Sequence, residues 1–286
     1  NPAVSERIMV QRDAALAELT GGRLLVDMLS SQDALTALRR AKDRDIDISA
    51  SVSINHLALN EMDIGDYRTF AKLDPPLREE SDRQALIDGI NDSSIDVIVS
   101  SHDPRPAGEK RLPFTQSSPG AVGLEILLAA GLTLVADEQL DLMAFLRALT
   151  INPAQLLGLN SGRICVGAPA DLVLFDAAKP WVCDADSLLS LSKNTPFDGR
   201  RLQGRARGPV GTGRGCDPCR GRAGWLQHQP WLRIDNAAGR IGRRAPAWGR
   251  SGDLSGRGRG PGRADRRDGA RGRRRCGNHP AAGREH

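Results

Sequence analysis

The chain has 286 residues, room for one large domain or two small ones, with 40 Lys and Arg against 35 Asp and Glu, a net charge of +5. Glu6, Arg7, Arg12 and Asp13 exclude a signal-peptide core near the start. No apolar run reaches the roughly 18 residues that cross a bilayer. A cytoplasmic protein without a membrane partner is therefore expected. The chain opens on Asn1 and not on Met, so a preceding segment is expected. The five cysteines have no regular spacing and make no disulfide framework. The mean charge hides two unlike segments. Residues 201–286 hold 21 Arg, no Lys and six acidic residues, a net of +15, whereas residues 1–200 hold 19 basic and 29 acidic residues, a net of −10.

In chain order, Ser5 is expected to cap a helix carrying Ile8, Ala15, Leu16 and Leu19 near helical spacing. Gly21-Gly22 ends it. Leu24-Leu25-Val26 reads as a short buried strand. The next helix sets Ala34, Leu35, Leu38 and Ala41 on one face. Ile46 to Val52 alternates as a strand, Arg83–Ile90 reads as a helix, and Ile95 to Val99 is a further strand. Gly123–Ala130 and Leu140–Leu149 read as two more helices. Strands alternating with helices predict a parallel sheet or barrel with helices outside. Beyond them, Ile164, Val166, Leu172 to Phe175 and Trp181-Val182 read as short strands broken by Gly167, Pro169 and Pro180.

The texture changes after Gly204. Residues 205–286 hold 18 Gly, many Arg and no apolar period. Such a segment buries too little apolar surface to offset its chain entropy and is expected to be disordered. Gly, Arg, Ala and Pro have GC-rich codons, and a GC-rich gene read in a shifted frame gives this mixture. The expected organisation is a partial barrel over 1–155, a small β appendage over 156–204 and a disordered, frameshifted Gly/Arg-rich tail over 205–286. Cys216 and Cys219 superficially resemble half a zinc site, with no second pair at suitable spacing. Trp225, Trp231 and Trp248 lie among the arginines, so non-specific nucleic-acid binding is the most this tail offers.

Several stretches, among them Lys72-Leu73-Asp74-Pro75-Pro76-Leu77-Arg78, Asn152-Pro153-Ala154 and Asn194-Thr195-Pro196-Phe197, resemble the dihydroorotase family of the amidohydrolase superfamily. Ser30-Ser31 with Ala41-Lys42, and Asn55-His56-Leu57, resemble its sixth and seventh strand exits. Lys72-Leu73-Asp74-Pro75-Pro76-Leu77-Arg78, followed by Asp82-Arg83 and Leu86-Ile87, resembles a stretch between strands. Ile95-Asp96-Val97-Ile98 leading to His102 and Pro104 resembles the eighth strand. Gly120, Gly123-Leu124-Glu125, Asn152-Pro153-Ala154, Gly158-Leu159, Gly162, Gly167, Ala170-Asp171-Leu172-Val173 and Asp176 follow in family order. Asn194-Thr195-Pro196-Phe197, with Gly199 and Gly204, closes the match. The resemblance implies an α/β fold, the C-terminal portion of a (β/α)8 TIM-type metal-dependent hydrolase barrel with three of its strands, plus part of a small β-sandwich.

The family hydrolyses or forms a cyclic amide at a zinc centre. The resemblance places its sixth-strand metal histidine on Met28 and its eighth-strand aspartate on Ser101. A thioether is a poor zinc ligand, and a neutral hydroxyl neither holds the metal nor carries the proton. Asp103 lies two residues on, roughly 6–7 Å along a strand, too far to take the ligand's place. Family substrate contacts fall on Asp74, Arg105 and Gly120. Asp74 would repel an anionic ring and Arg105 would attract its carboxylate. His56 and His102 match family positions and read as packing residues. The resemblance therefore implies a catalytically inactive dihydroorotase-like fragment of pyrimidine biosynthesis, without zinc in this chain, whose parent partners aspartate transcarbamoylase. The alternative is an active zinc-dependent dihydroorotase in the full-length parent, using upstream ligands plus Asp103 or a borrowed group.

Overall fold

The computed structural model describes residues 2–166, 168 and 171–210. Helix α1 spans Ala3–Thr20 and strand β1 Leu24–Val26. Helix α2, Gln32–Lys42, leads to β2, Ile48–Ser53, which runs into the short α3, Ile54–Ala58. After a 3₁₀ turn at Thr69–Ala71, α4 covers Glu80–Asn91 and β3 covers Val97–Val99. Helices α5, Ala107–Lys110, α6, Leu127–Ala136, α7, Leu142–Leu149, and α8, Ile151–Leu156, follow. The last elements are β4, Leu172–Val182, and β5, Arg201–Val210. Among the described residues, no helix is long and apolar enough to cross a membrane.

The first three strands form one parallel sheet in the order β1-β2-β3. Val26 pairs with Ala50, and Ser51 and Ser53 pair with Val97 and Val99. In the central strand β2, Ile48 and Ala50 through Ser53 are all buried, because helices cover the sheet. Alternation is therefore absent from β2, and the strand starts at Ile48, two residues after the alternating run. Helix α2 has the expected face, with Ala34, Leu35, Leu38 and Ala41 buried. Ser31 caps it, its hydroxyl accepting from the Ala34 amide.

Helix α1 departs from its expected form. It starts at Ala3 with Pro2 as cap, while the Ser5 hydroxyl donates back to the Pro2 carbonyl at 2.7 Å. Proline fixes an extended φ of −68° there, so the helix begins earlier than Ser5. Its buried face is Val10, Ala14 and Ala17, not the face of Ile8, Leu16 and Leu19. Gly21 closes the helix in the left-handed region at φ 64°.

The segment 123–126 precedes α6 instead of starting it. A Cβ on Gly123 would lie 2.2 Å from the Ser100 carbonyl oxygen, so the chain crosses the exit of β3 before turning helical at Leu127. At the C-terminal side, β4 and β5 form an antiparallel ribbon. Pro180 does not break β4: it pairs with Gln203 beside an irregularity in register, where its missing N–H costs no ladder bond. Ile164 and Val166 lie outside any strand. Strand β5 runs through Gly204, where a Cβ would meet Leu132 of α6 at 2.3 Å. The Gln203 amide donates to the Thr133 hydroxyl at 2.9 Å, seating the ribbon on α6. The boundary expected at Gly204 thus falls inside a strand. Gly167, Pro169, Ala170 and residues 211–286, with the cysteine pair, the three tryptophans and the expected tail, lie outside the described residues.

Candidate functional site

In parallel α/β sheets, chemistry gathers at the C-terminal strand ends. At the end of β1, Met28 is held in the left-handed region at φ 55°. Its amide donates to the Ser51 hydroxyl at 2.9 Å, which in turn donates to the Asp27 carboxylate at 2.6 Å. Ser30 follows, its amide and hydroxyl both donating to Glu6 at 2.6 and 2.9 Å, and the Arg78 Nε–H donates to the same hydroxyl at 3.2 Å. Met28 and Asp74 share an open cleft of about 540 Å³ with Glu6, Asp27 and Arg78. Asp74 is exposed there.

At the end of β3, Ser101 is also left-handed, at φ 46°. Left-handed backbone at non-glycine residues costs roughly 1–3 kcal/mol and clusters where the surroundings fix it. His102 forms a bridge to Ala121, and its Nδ1 accepts from the Gly123 and Leu124 amides, both at 3.3 Å. Burial holds its imidazole below the ordinary range, although Glu125 and Asp103 pull the other way. Through Nδ1 the ring ties the exit of β3 to the segment that precedes α6.

Asp103, Arg105 and Gly120 come together. Arg105 donates to one Asp103 oxygen from Nη2 at 2.7 Å and from Nε at 3.1 Å. Gly120 lies at φ 124°, and a Cβ on it would sit 2.4 Å from the same Asp103 oxygen. The carboxylate that Arg105 holds is therefore Asp103. Asn194 locks the cluster: its amide donates to the Asp103 and Gly120 carbonyls at 3.1 and 3.0 Å and accepts from the Arg105 amide at 3.1 Å. Two buried or half-buried lysines hold the loop around it. The Lys72 ammonium donates to the Phe114, Thr115 and Ser117 carbonyls, and Lys110 to those of Thr69, Ser118 and Lys72. Burial, with Arg105 adding to it and Asp103 opposing, pushes Lys110 down to about 8. Lys72 and Asn194 stand in stretches that resemble the family, but the sequence assigns neither these bonds nor Lys110 a role, because each acts through backbone groups.

At the end of β2, Asn55 and His56 are buried. The His56 Nε2–H donates to the Pro75 and Pro76 carbonyls at 3.1 and 3.3 Å. Its Nδ1 and the Asn55 side-chain Oδ1 and Nδ2 have no hydrogen-bond partner among the described residues. Burial lowers His56 to about 4, against the two carbonyls and together with Arg78. Among the described residues no three His, Cys, Asp or Glu side chains are grouped to hold a metal ion.

The amidohydrolase family matches residues 48–204, more than half of the chain, and the chain belongs to that family. It is 41% identical over 215 residues to a dihydroorotase of Anaeromyxobacter sp. (strain K), a match that covers 74% of this chain and 50% of the relative. The chain thus spans about half the length of the curated relatives it matches. Among solved structures it resembles an L-hydantoinase (dihydropyrimidinase) from Arthrobacter aurescens, with TM-score 0.71 and 27% identity over 74% of this chain and 49% of that one. A D-hydantoinase (dihydropyrimidinase) from Thermus sp. gives 0.69 and 27% over 73% and 48%. The α/β part is accordingly the C-terminal portion of a TIM-type (β/α)8 barrel, and the ribbon is part of its small β-sandwich. The family is in general metal-dependent.

Proposed function

We propose that this chain is a dihydroorotase-like part of a pyrimidine-synthesis protein that does not itself turn over a cyclic amide. The observation that carries the reading is the donor chemistry at the strand ends. Met28 offers a thioether, Ser101 a neutral hydroxyl, and Asp103 is committed to Arg105 and wedged against Gly120. These groups do not fit zinc, which asks for imidazole, thiolate or carboxylate. They also leave no carboxylate at Ser101 for proton transfer. An active zinc enzyme using Asp103 would have to draw on a carboxylate whose Oδ2 is held by Arg105, so that alternative has less support. The role left is structural, as an assembly partner of aspartate transcarbamoylase, a proposal that rests on the family resemblance. Nucleic acid would bind only non-specifically, through the arginines of 201–286.

The test is metal analysis and turnover on the purified 286-residue chain. Dialysis against zinc is expected to leave no stoichiometric metal, and dihydroorotate is expected to be consumed no faster than in a protein-free blank. One zinc per chain, lost on Asp103→Ala or His102→Ala, would sink the reading. Co-sedimentation with aspartate transcarbamoylase tests the assembly role, and independent sedimentation of the two would remove it.

A further inference from the structure

The loop of residues 106–119 leaves the exit of β3 and returns at Gly120 with little apolar surface to hold it. Within it only Lys110 and Ser117 are buried, while Leu112 is exposed and Phe114 half-buried. A segment with so few buried apolar groups draws little stability from the core. Its two ends are fixed. The Asp103 amide donates to the Ala121 carbonyl at 2.7 Å, and the Asn194 side-chain amide donates to the Asp103 and Gly120 carbonyls. Its middle is tied to residues 67–72 by two ammonium groups that reach in opposite directions. Lys72 reaches into the loop and donates to the Phe114, Thr115 and Ser117 carbonyls at 2.7, 3.2 and 2.6 Å. Lys110 reaches out of the loop and donates to the Thr69 and Lys72 carbonyls at 2.9 and 3.4 Å, and back to that of Ser118 at 2.8 Å. The Thr69 hydroxyl donates to the Lys110 carbonyl at 2.6 Å, and the Phe114 ring meets that of Tyr67 edge to face. Neither ammonium has a carboxylate within ion-pair distance among the described residues. Each is a cation held by neutral carbonyls, which water can replace when the loop lifts.

We propose that residues 106–119 are a lid on the Gly120 corner of the site, fastened by Lys72 and Lys110 as one latch and opening as one unit. The corner is shut in this structure. Gly120 is buried, and its amide donates to the Lys72 carbonyl at 2.9 Å. A molecule that contacts the Gly120 backbone therefore reaches it only with the lid raised. The two lysines are linked through one residue. Lys72 holds the loop by its ammonium, while its carbonyl accepts from both Lys110 and Gly120. Withdrawal of either ammonium moves the groups that the other one grips, so the two holds fail together. Motion is confined between the fixed ends, because Asn194 and Ala121 pin the backbone on either side of the loop. The inference rests on this geometry and holds whether or not the chain turns over a cyclic amide.

Hydrogen exchange of the full 286-residue chain, resolved by peptide in a series of sub-denaturing urea concentrations, tests the lid. The amides of residues 107–120 are expected to exchange through one shared opening, at lower urea than those of β3 and α4. Lys72→Met and Lys110→Met are each expected to speed exchange there about tenfold, since each removes a charged donor from its carbonyls. Exchange in α4 is expected to stay as in the parent chain. The double variant is expected to be only about tenfold faster as well, whereas independent fastenings would multiply to about a hundredfold. A hundredfold double variant overturns the proposal, as does a single lysine variant without effect. Exchange of residues 107–120 only in step with β3 also overturns it, because no separate lid then exists. Where a lysine variant does not fold, the urea series on the parent chain decides by that last criterion.

Discussion

At the residue scale, His56 shows how burial decides chemistry. Its ring is fixed by two carbonyls and yet titrates at about 4, because removing the cation from water costs more than those bonds return. The folded value lies below the unfolded one of about 6.5. Below pH 6.5 the unfolded chain takes up a proton that the folded chain refuses. Stability from this group is therefore full above pH 6.5 and falls as the pH drops toward 4, by about 3 kcal/mol across the window. Urea midpoints measured between pH 7 and pH 4.5 are expected to fall more steeply for the parent chain than for His56→Gln. Equal slopes would show that His56 is not held neutral. The site residues were unevenly legible in the sequence. Met28, Ser101 and Gly120 are singled out in the sequence only because the resemblance supplies a residue to compare with each. The pairing of Asp103 with Arg105 was not, because two residues apart on a strand implies only a shared side and the turn after β3 brings them closer. Asn194 lies 91 residues from Asp103 and 74 from Gly120, and no local pattern encodes those distances.

Elements were legible where one local cause fixes them. Helix α2 has a cap, a single apolar face and basic residues in its last turn, and its expected face is the buried one. Helix α1 has two apolar faces, so its periodicity gives a helix but not the side it buries. The strand β4 passes through Pro180 because a ribbon edge tolerates a missing donor. The packing of α6 on α7 is a tertiary fact invisible to propensity. Gly131 of α6 faces the fully buried Phe145 of α7, and a Cβ there would come within 2.1 Å of the ring. Gly→Ala in a helix normally gains up to about 1 kcal/mol in propensity. Here the ring has no room to move, so Gly131→Ala is expected to destabilise by about 1–3 kcal/mol through overpacking. The pair Gly131→Ala with Phe145→Leu should recover part of that loss. Thermal or urea unfolding decides it, and a stabilised single variant would mean that the two helices are not in close contact.

At the scale of the whole molecule, two forces favour association, and they respond oppositely to salt. The first is charge: residues 1–200 carry −10 and residues 201–286 carry +15, so unlike segments of neighbouring chains attract. That attraction fades as the screening length shrinks from about 30 Å at 0.01 M salt to about 3 Å at 1 M. The second is apolar surface. Beyond the exposed Ile8, Leu16 and Leu19 of α1, Leu172, Val173, Leu174 and Val182 of β4 are exposed, so that strand also offers uncovered hydrophobic groups. Exposed apolar strands template association, and salt does not weaken it. The apolar term is expected to prevail, since three parallel strands leave edges that a closed barrel would hide. Light scattering from the full chain should persist from low salt to about 0.5 M, where screened charge no longer reaches across the interface. It should be accompanied by strong fluorescence of a dye that reports apolar surface. Dispersal of the particles by 0.5 M salt, with little dye bound, would assign the association to charge instead. A monodisperse chain at every salt concentration, melting in one cooperative step, would show that these surfaces are covered in solution by the chain itself.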